Sequence, residues 1–226
     1  MVENLYFWLL IDKKYIKWAE KPQLVWVPID FYRWTINEAV IIFVWINWKN
    51  CWLKDEYVKM AESLVKHYWV NVFVVGNPQM SRDDPILYLN SAMEFIVDEM
   101  ENLWYTNYKF YGIGFWGWWY IMCSYMSSTK YSFLFNKMLI INTYLQEDFY
   151  EIIHGTSPLA CPIIFIQWEL DDYFEYNVKL NNFCQIKTAI WDDCQLFTLP
   201  WVDHYFTQEW WLELFISLPE KYLFND

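Results

Sequence analysis

Glycine is scarce in this sequence, with 5 residues among 226, whereas ordinary usage of about 7% would give about 16. Histidine is scarcer still, with 3 residues, and these do not stand at the spacing of a metal-binding set. The five cysteines are an odd number and include no C-x-x-C pair. We therefore predict no metal centre, no cofactor, and cysteines that are reduced and mostly buried.

Positive charge is also in short supply. Lys and Arg number 16 against 28 Asp and Glu, for a formal net charge of −12. An acidic chain is repelled by phosphate backbones and anionic lipids, which argues against nucleic acid or a membrane surface as the partner. The N-terminal stretch MVENLYFWLLIDKK has no basic leader and carries an acid at Glu3, so we expect no signal peptide and a cytoplasmic protein.

The stretch from Phe110 to Thr129 has no charged residue and is long enough to span a bilayer. It contains three glycines and four Ser or Thr residues, and it divides into a strand-like KFYGIGF and a helix-like segment. Because a membrane helix is predominantly apolar over its whole length, we predict a strand, a glycine turn and a helix here, and no membrane span.

Tryptophan is as abundant as glycine is rare. The 17 tryptophans and 5 glycines together make 22 residues, which is above the about 16 glycines that ordinary usage would give, so that many but not all of the tryptophans could replace glycine. Trp69 and Trp104 follow helical patterns and precede strands, at positions where a helix ends in a left-handed residue that is normally glycine. Other tryptophans in turns or after apolar strands are Trp45, Trp48, Trp118, Trp119, Trp168 and Trp201.

We infer that many of these tryptophans stand where a parent sequence has glycine, because a bulky residue at positive φ is costly. One mechanism is a stop codon that the source organism reads as glycine and that a translation table rendered as tryptophan. The alternative is an unusually tryptophan-rich chain that packs these rings.

Apolar runs alternate with helical patterns along the chain. Short β segments open it as an antiparallel edge, and VIIFVWI (40–46) is a continuous apolar run of the kind buried in a parallel sheet. Further strands are predicted at 70–75, 108–113, 137–142, 162–167 and 195–200, and helices at 53–67, 89–103 and 207–218. This alternation indicates an α/β fold with a doubly wound, mostly parallel sheet and helices on both faces. We expect one domain over 1–226 without a sizeable lid.

The motifs from about residue 40 onward resemble those of the α/β-hydrolase family, in the compact form of esterases, thioesterases and dienelactone-hydrolase-like proteins. GFWGWWYIMCSYM is similar to a nucleophile elbow of the form GFSxGGYIAxxYA, in which the nucleophile stands at Trp116. CPIIFIQWELDDYF is similar to the late strand that ends in G-x-x-D, and LFTLPWVDHYF to the P-G-x-x-H segment. The order of nucleophile, acid and histidine is that of the family.

The resemblance implies roles for individual residues. His204 would be the general base, and Asp171 would orient it, with the neighbouring Asp172 as the alternative acid. The oxyanion hole would use the backbone N–H of Gly117 and one from the loop at Trp45 and Ile46. The other two histidines, His67 and His154, have no partner pattern and are expected to be structural or on the surface.

The nucleophile is the point of departure from the family. Neither Trp116 nor a glycine there can form an acyl-enzyme, because covalent catalysis requires a hydroxyl or thiol. The alternative registration, Gly112 to Trp116, puts glycine at the nucleophile position, and Cys123 and Ser124 lie about 10 Å further along the predicted helix. The same glycines match G-x-G-x-x-G, the dinucleotide fingerprint, but at mid-chain rather than in the first βα unit.

Two functions follow from these motifs. The first is an ester, thioester or similar acyl hydrolase with a small-molecule acyl substrate, which requires a nucleophile that the sequence does not show. The second is a catalytically silent relative, a pseudoenzyme that binds a small acyl or aromatic ligand or a protein partner.

Overall fold

The computed structural model describes residues 2–11, 23–34, 36–44, 56–76, 85–115, 131–142, 160–171, 180–182, 184–185, 188, 193–203 and 209–224. Its strands are β1 (Val2–Ile11), β2 (Gln23–Tyr32), β3 (Glu38–Phe43), β4 (Asn71–Val75), β5 (Lys109–Phe115), β6 (Phe135–Ile141), β7 (Ile163–Leu170) and β8 (Cys194–Asp203). Its helices are α1 (Glu56–Tyr68), α2 (Pro85–Asn102) and α3 (Trp211–Pro219), and a π-helical turn (Glu220–Phe224) follows α3.

The eight strands form one sheet in the order β1-β2-β4-β3-β5-β6-β7-β8. Strand β2 runs antiparallel to β1 and to β4, whereas the pairs β3–β4, β6–β7 and β7–β8 are parallel. The prediction of a mostly parallel α/β sheet with antiparallel N-terminal strands is confirmed. No helix in the described part of the chain is both long and apolar enough to cross a membrane.

The chain divides into two compact units, Met1–Phe110 and Tyr111–Asp226, and a single domain stays a prediction. In the first unit the apolar strands β3 and β4 are buried along their length, as expected for the interior of a parallel sheet. Asn71 is fully buried at the start of β4. It accepts a hydrogen bond from the Trp34 N–H at 2.7 Å and donates to the carbonyls of Ile36 and Glu38 at 2.6 and 3.1 Å, so it fixes the connection between β2 and β3.

In the second unit, aromatic side chains attach the C-terminal segment to the sheet. The ring of Phe215 on α3 stacks on Phe115 at the end of β5, with centroids 4.9 Å apart, and Trp211 meets Phe215 edge-on at 6.0 Å. From the π-helical turn, Phe224 contacts Tyr111 at 5.0 Å. Such pairs add to the free energy gained by burial, and they place α3 against the strand that precedes the predicted elbow.

Five non-glycine residues in the described part of the chain have a positive φ. Two are Asn107 and Asn142, and asparagine visits this region readily. The other three are tryptophans: Trp69 at 58°, Trp104 at 62° and Trp201 at 66°. Their rings are 62%, 91% and 68% exposed, so little burial offsets the backbone strain.

The left-handed backbone predicted for Trp69 and Trp104 is confirmed, and the hydrogen bonds explain it. The Trp104 N–H donates to the Glu101 carbonyl at 2.8 Å and the Tyr105 N–H to the Met100 carbonyl at 3.1 Å. This is the pair of bonds that defines a Schellman motif, in which Trp104 holds the position usually given to glycine. At the end of α1 the Trp69 N–H donates to the Val65 carbonyl at 3.2 Å, which is the simpler left-handed cap.

Trp201 lies in an irregularity of the ladder between β7 and β8. Trp168 pairs with Leu199, and the next pair is Leu170 with Asp203, so one intervening residue of β7 faces three of β8. The Trp201 N–H leaves the ladder and donates to Glu169 Oε2 at 3.2 Å. A left-handed residue in a bulge of this kind is ordinarily glycine.

Several sequence predictions of element bounds need correction. Helix α2 begins at Pro85, which we expected in the preceding loop; proline suits the first turn of a helix because its missing N–H needs no partner there. Trp168 lies inside β7 with 1% exposure and without a positive φ, and Trp201 lies inside β8. Both strands extend beyond their apolar runs because the pairing between β7 and β8 resumes after the bulge.

Candidate functional site

The predicted nucleophile, acid and base positions directly follow β5, β7 and β8 in the sequence, at the carboxyl ends of these strands. Strand β5 ends at Phe115, directly before the predicted nucleophile position, and Asp171 follows β7. Ligands of open α/β sheets bind at this edge because the loops there leave a crevice. Of the predicted site residues Asp171 is described, whereas Trp116, Gly117, His204, Trp45 and Ile46 lie outside the described residues.

Asp171 is a buried acid that directly follows β7. Its side chain is 7% exposed, and its backbone N–H donates to the Trp168 carbonyl at 3.5 Å. This i to i+3 contact turns the chain directly after β7, at the G-x-x-D position of the resemblance. Burial of a carboxylate is costly unless it is compensated by polar partners. The burial of Asp171 therefore fits a functional acid better than it fits a solvent-exposed acidic turn.

The register of β7 and β8 bears on the predicted pairing of acid and base. Leu170 and Asp203 are partners in the parallel ladder, and each is the last residue of its strand. Neighbouring strands lie about 4.8 Å apart. The positions that come next in the sequence are Asp171 and His204, and His204 lies outside the described residues.

Asn142 is a residue at this edge that sequence reasoning did not single out. It follows β6 with φ 49°, and its N–H donates to the Ile166 carbonyl of β7 at 2.7 Å. The side chain is 4% exposed, and Nδ2 has no hydrogen-bond partner. A signal existed in the sequence, because a polar residue directly after an apolar parallel strand points to this edge.

Among the described residues, the Cys161 thiol is not an activated nucleophile, and no metal-binding cluster is present. Burial raises the pKa of the Cys161 thiol to about 12, so at neutral pH it is protonated and a poor nucleophile. No cluster of three or more His, Cys, Asp and Glu side chains that could hold a metal occurs in this part of the chain. His67 is exposed in the last turn of α1, as expected for a surface histidine, and His154 lies outside the described residues.

Comparison with known proteins gives structural matches alone. No family model and no curated protein matches the sequence. Esterase 2 of Thermogutta terrifontis has a TM-score of 0.65 at 12% identity, with 96% of this chain and 94% of that chain covered. A Pyrococcus furiosus esterase has a TM-score of 0.65 at 12% identity, with 98% and 92% covered. A putative α/β hydrolase of Agrobacterium tumefaciens has a TM-score of 0.65 at 10% identity, with 96% of this chain and 94% of that chain covered.

These similarities span nearly the full length of each chain and establish an α/β-hydrolase-like fold for this protein. At such low identity they extend to the fold and not to the reaction, because one fold supports many functions. The solved structures most similar in fold include esterases and hydrolases, so the resemblance read from the motifs and the observed architecture agree.

Proposed function

We propose that this chain derives from a serine-type ester or thioester hydrolase and retains the acid–base half of its catalytic triad. The observation that carries the proposal is the final Leu170–Asp203 pair between β7 and β8. It supports a contact between Asp171 and His204, because the residues that follow two paired positions of parallel strands start from the same level of the sheet.

In this site each group has one task. His204 takes a proton from a nucleophile at position 116 and returns it to the leaving group. Asp171 keeps the imidazole in the correct tautomer and stabilises the imidazolium. The N–H of Gly117 stabilises the oxyanion of the tetrahedral intermediate. With tryptophan at 116 the site has no atom that can attack an acyl carbon, so the chain as written binds an acyl ligand without turning it over.

The test is to restore the nucleophile. The Trp116→Ser variant is expected to gain hydrolysis of p-nitrophenyl acetate, and a further His204→Ala substitution is expected to abolish that gain. Trp116→Ala is the matched control, since it removes the indole without adding a hydroxyl. Equal rates for the Trp116→Ser and Trp116→Ala variants would overturn the proposal.

A second part of the proposal concerns the tryptophans. Trp69, Trp104 and Trp201 hold left-handed positions with exposed rings, and Trp201 stands at the glycine of the P-G-x-x-H segment in the resemblance. These features support a parent chain with glycine at the three sites. The codons of the 17 tryptophans test this idea: one stop codon shared by these sites is the expected result, and ordinary tryptophan codons throughout would overturn recoding.

A further inference from the structure

Two cysteines that are ten positions apart in the sequence meet in the second unit. Cys194 is the first residue of β8, and Cys184 lies in a helical segment before it. Their Sγ atoms are 2.9 Å apart, and the two side chains are 5% and 6% exposed. The spacing of the two cysteines does not predict this contact, because it matches no C-x-x-C or other known pattern.

Hydrogen bonds between described residues fix the backbone where β8 begins. The Thr188 hydroxyl donates to the Cys194 carbonyl at 3.4 Å, and the Ile163 N–H donates to the Asp193 carbonyl at 2.9 Å. The first bond joins Thr188 to the start of β8, and the second ties Asp193, directly before β8, to β7. The backbone on the β8 side is therefore held in place while the sulfur atoms face each other.

We propose that, contrary to the sequence prediction of reduced cysteines, Cys184 and Cys194 form a disulfide that fastens the edge strand β8 to the preceding helical segment. A bonded pair has an S–S distance of about 2.05 Å, so the sulfur atoms need to approach by less than 1 Å. Cys161 is a third buried thiol. Sequence spacing does not favour one pairing of the three cysteines over another, so the pair is chosen by the short distance between the Cys184 and Cys194 sulfur atoms.

The reaction with oxidised glutathione is balanced. One cysteine thiolate attacks a glutathione sulfur, which forms a mixed disulfide and releases one glutathione. The second cysteine displaces the other glutathione. The protein pair loses two electrons and two protons, and two glutathione thiols are formed. Because both side chains are buried, the attack proceeds when this segment opens locally, so the reaction is slower than that of an exposed thiol.

The cross-link lies away from the candidate site. Cys194 begins β8 and Asp203 ends it, and a strand of this length spans about 30 Å at 3.3 Å per residue. The disulfide therefore holds the amino end of β8, whereas the predicted base follows its carboxyl end. It is expected to raise the melting temperature and to leave the chemistry of the site unchanged, so its test is independent of the proposed hydrolase function.

The experiment is a peptide map of the whole protein after incubation with oxidised glutathione, unfolding and alkylation. Trypsin gives one cysteine in each of the peptides 180–187 and 188–221, so the disulfide joins two identifiable fragments. The expected result is this joined pair, lighter by two hydrogen atoms than the separate peptides, in the protein itself and in the Cys161→Ala control. Alkylation of Cys184 and Cys194 in separate peptides, or their linkage to other cysteines, would overturn the proposal.

Thermal unfolding gives a second readout. Closing a short loop by a disulfide is expected to raise the melting temperature by about 5 °C or more in a chain of this size. The rise is expected to be reversed by dithiothreitol in the protein itself and in the Cys161→Ala variant, and to be absent from Cys194→Ala. A thiol-independent melting temperature in a protein that carries the cross-linked peptide would contradict the fastening role.

Discussion

Leu170 and Asp203 are the last partners of the parallel ladder between β7 and β8. The sequence places the predicted acid one residue after the first and the predicted base one residue after the second. This relationship joins two motifs that are more than thirty residues apart in the chain, and it is the strongest structural support for the proposed acid–base pair.

The pairing of Leu170 with Asp203 predicts that Asp171, and not the adjacent Asp172, is the acid that orients the histidine. In the Trp116→Ser protein, Asp171→Asn is expected to lower kcat about a thousandfold or more, because the histidine loses its orienting carboxylate and its correct tautomer. Asp172→Asn is the matched control and is expected to keep kcat within a few-fold. Steady-state hydrolysis of p-nitrophenyl acetate measures both, and the reverse ranking of the two variants would assign the acid to Asp172.

The left-handed tryptophans predict stabilising substitutions. Trp104→Gly is expected to raise the free energy of unfolding by about 1 kcal/mol, because a left-handed backbone costs an L-residue about 1–2 kcal/mol and the ring is exposed. In a chain of this size that is about 2–4 °C in melting temperature.

Two control variants separate relief of backbone strain from loss of the ring. Trp104→Ala keeps the strained φ and is expected to give little gain. Trp211→Gly removes a ring that is 4% exposed and is expected to cost about 3–5 kcal/mol. Equal melting temperatures for Trp104→Gly and Trp104→Ala would show that the left-handed cap carries no strain.

Gly76 lies at a position where there is no room for a side chain. A Cβ atom there would lie 2.7 Å from Pro28 Cγ and 2.8 Å from the Pro28 carbonyl oxygen. The backbone cannot move away freely, because the Gly76 N–H donates to that carbonyl at 2.8 Å and the Tyr88 hydroxyl donates to the Gly76 carbonyl at 2.6 Å.

Gly76→Ala is therefore expected to lower the free energy of unfolding by about 1–3 kcal/mol, the usual cost of overpacking. Adding Pro28→Ala is expected to recover part of that loss, since it removes the ring contact and leaves the carbonyl contact. Urea denaturation of the two variants and of Pro28→Ala alone measures the coupling. A Gly76→Ala protein as stable as its parent would contradict the close approach.

The acidic side chains near α2 predict a pH effect. Burial and the nearby charges of Glu3 and Asp98 raise the pKa of Glu99. The folded state therefore binds this proton more tightly than the unfolded state, and stability is lost as pH rises through the titration of Glu99. Glu99→Gln is expected to stabilise the protein slightly at pH 7, by about 0.5 kcal/mol or less.

The gain from Glu99→Gln is expected to fade below pH 4, where the carboxyl is protonated in both states. The exposed Glu94 on the same helix provides the control substitution Glu94→Gln, for which no such gain is expected. Melting temperatures measured from pH 3 to pH 8 report both variants. A gain for Glu99→Gln that is the same at pH 3 as at pH 7 would exclude an electrostatic cause.

Much of the fold follows from local patterns in the sequence. Apolar runs locate the strands β3, β4 and β7 because strands buried on both faces need no alternation. The ends of α1 and α2 follow from helical patterns that stop before Trp69 and Trp104, where the chain takes the left-handed backbone that commonly closes a helix.

Other features depend on contacts that no local pattern encodes. The bulge at Trp201 is set by the register of β8 against β7, and a polar side chain, Glu169, takes the displaced N–H. The meeting of Cys184 with Cys194 is a tertiary contact that their spacing in the sequence does not encode. Asn142 is buried by its neighbours on the sheet, and its sequence context marks it only as the residue after a strand.

The most direct measurement is peptide mass spectrometry of the protein isolated from its native source, read at positions 69, 104, 116 and 201. We predict glycine at 69, 104 and 201, which would bring the helix caps and the P-G-x-x-H segment into agreement with the backbone, and the same spectra identify the residue at the nucleophile position. Tryptophan at 69, 104 and 201 would contradict the inference of a glycine-bearing parent, because the native protein would then itself have bulky side chains at three strained positions.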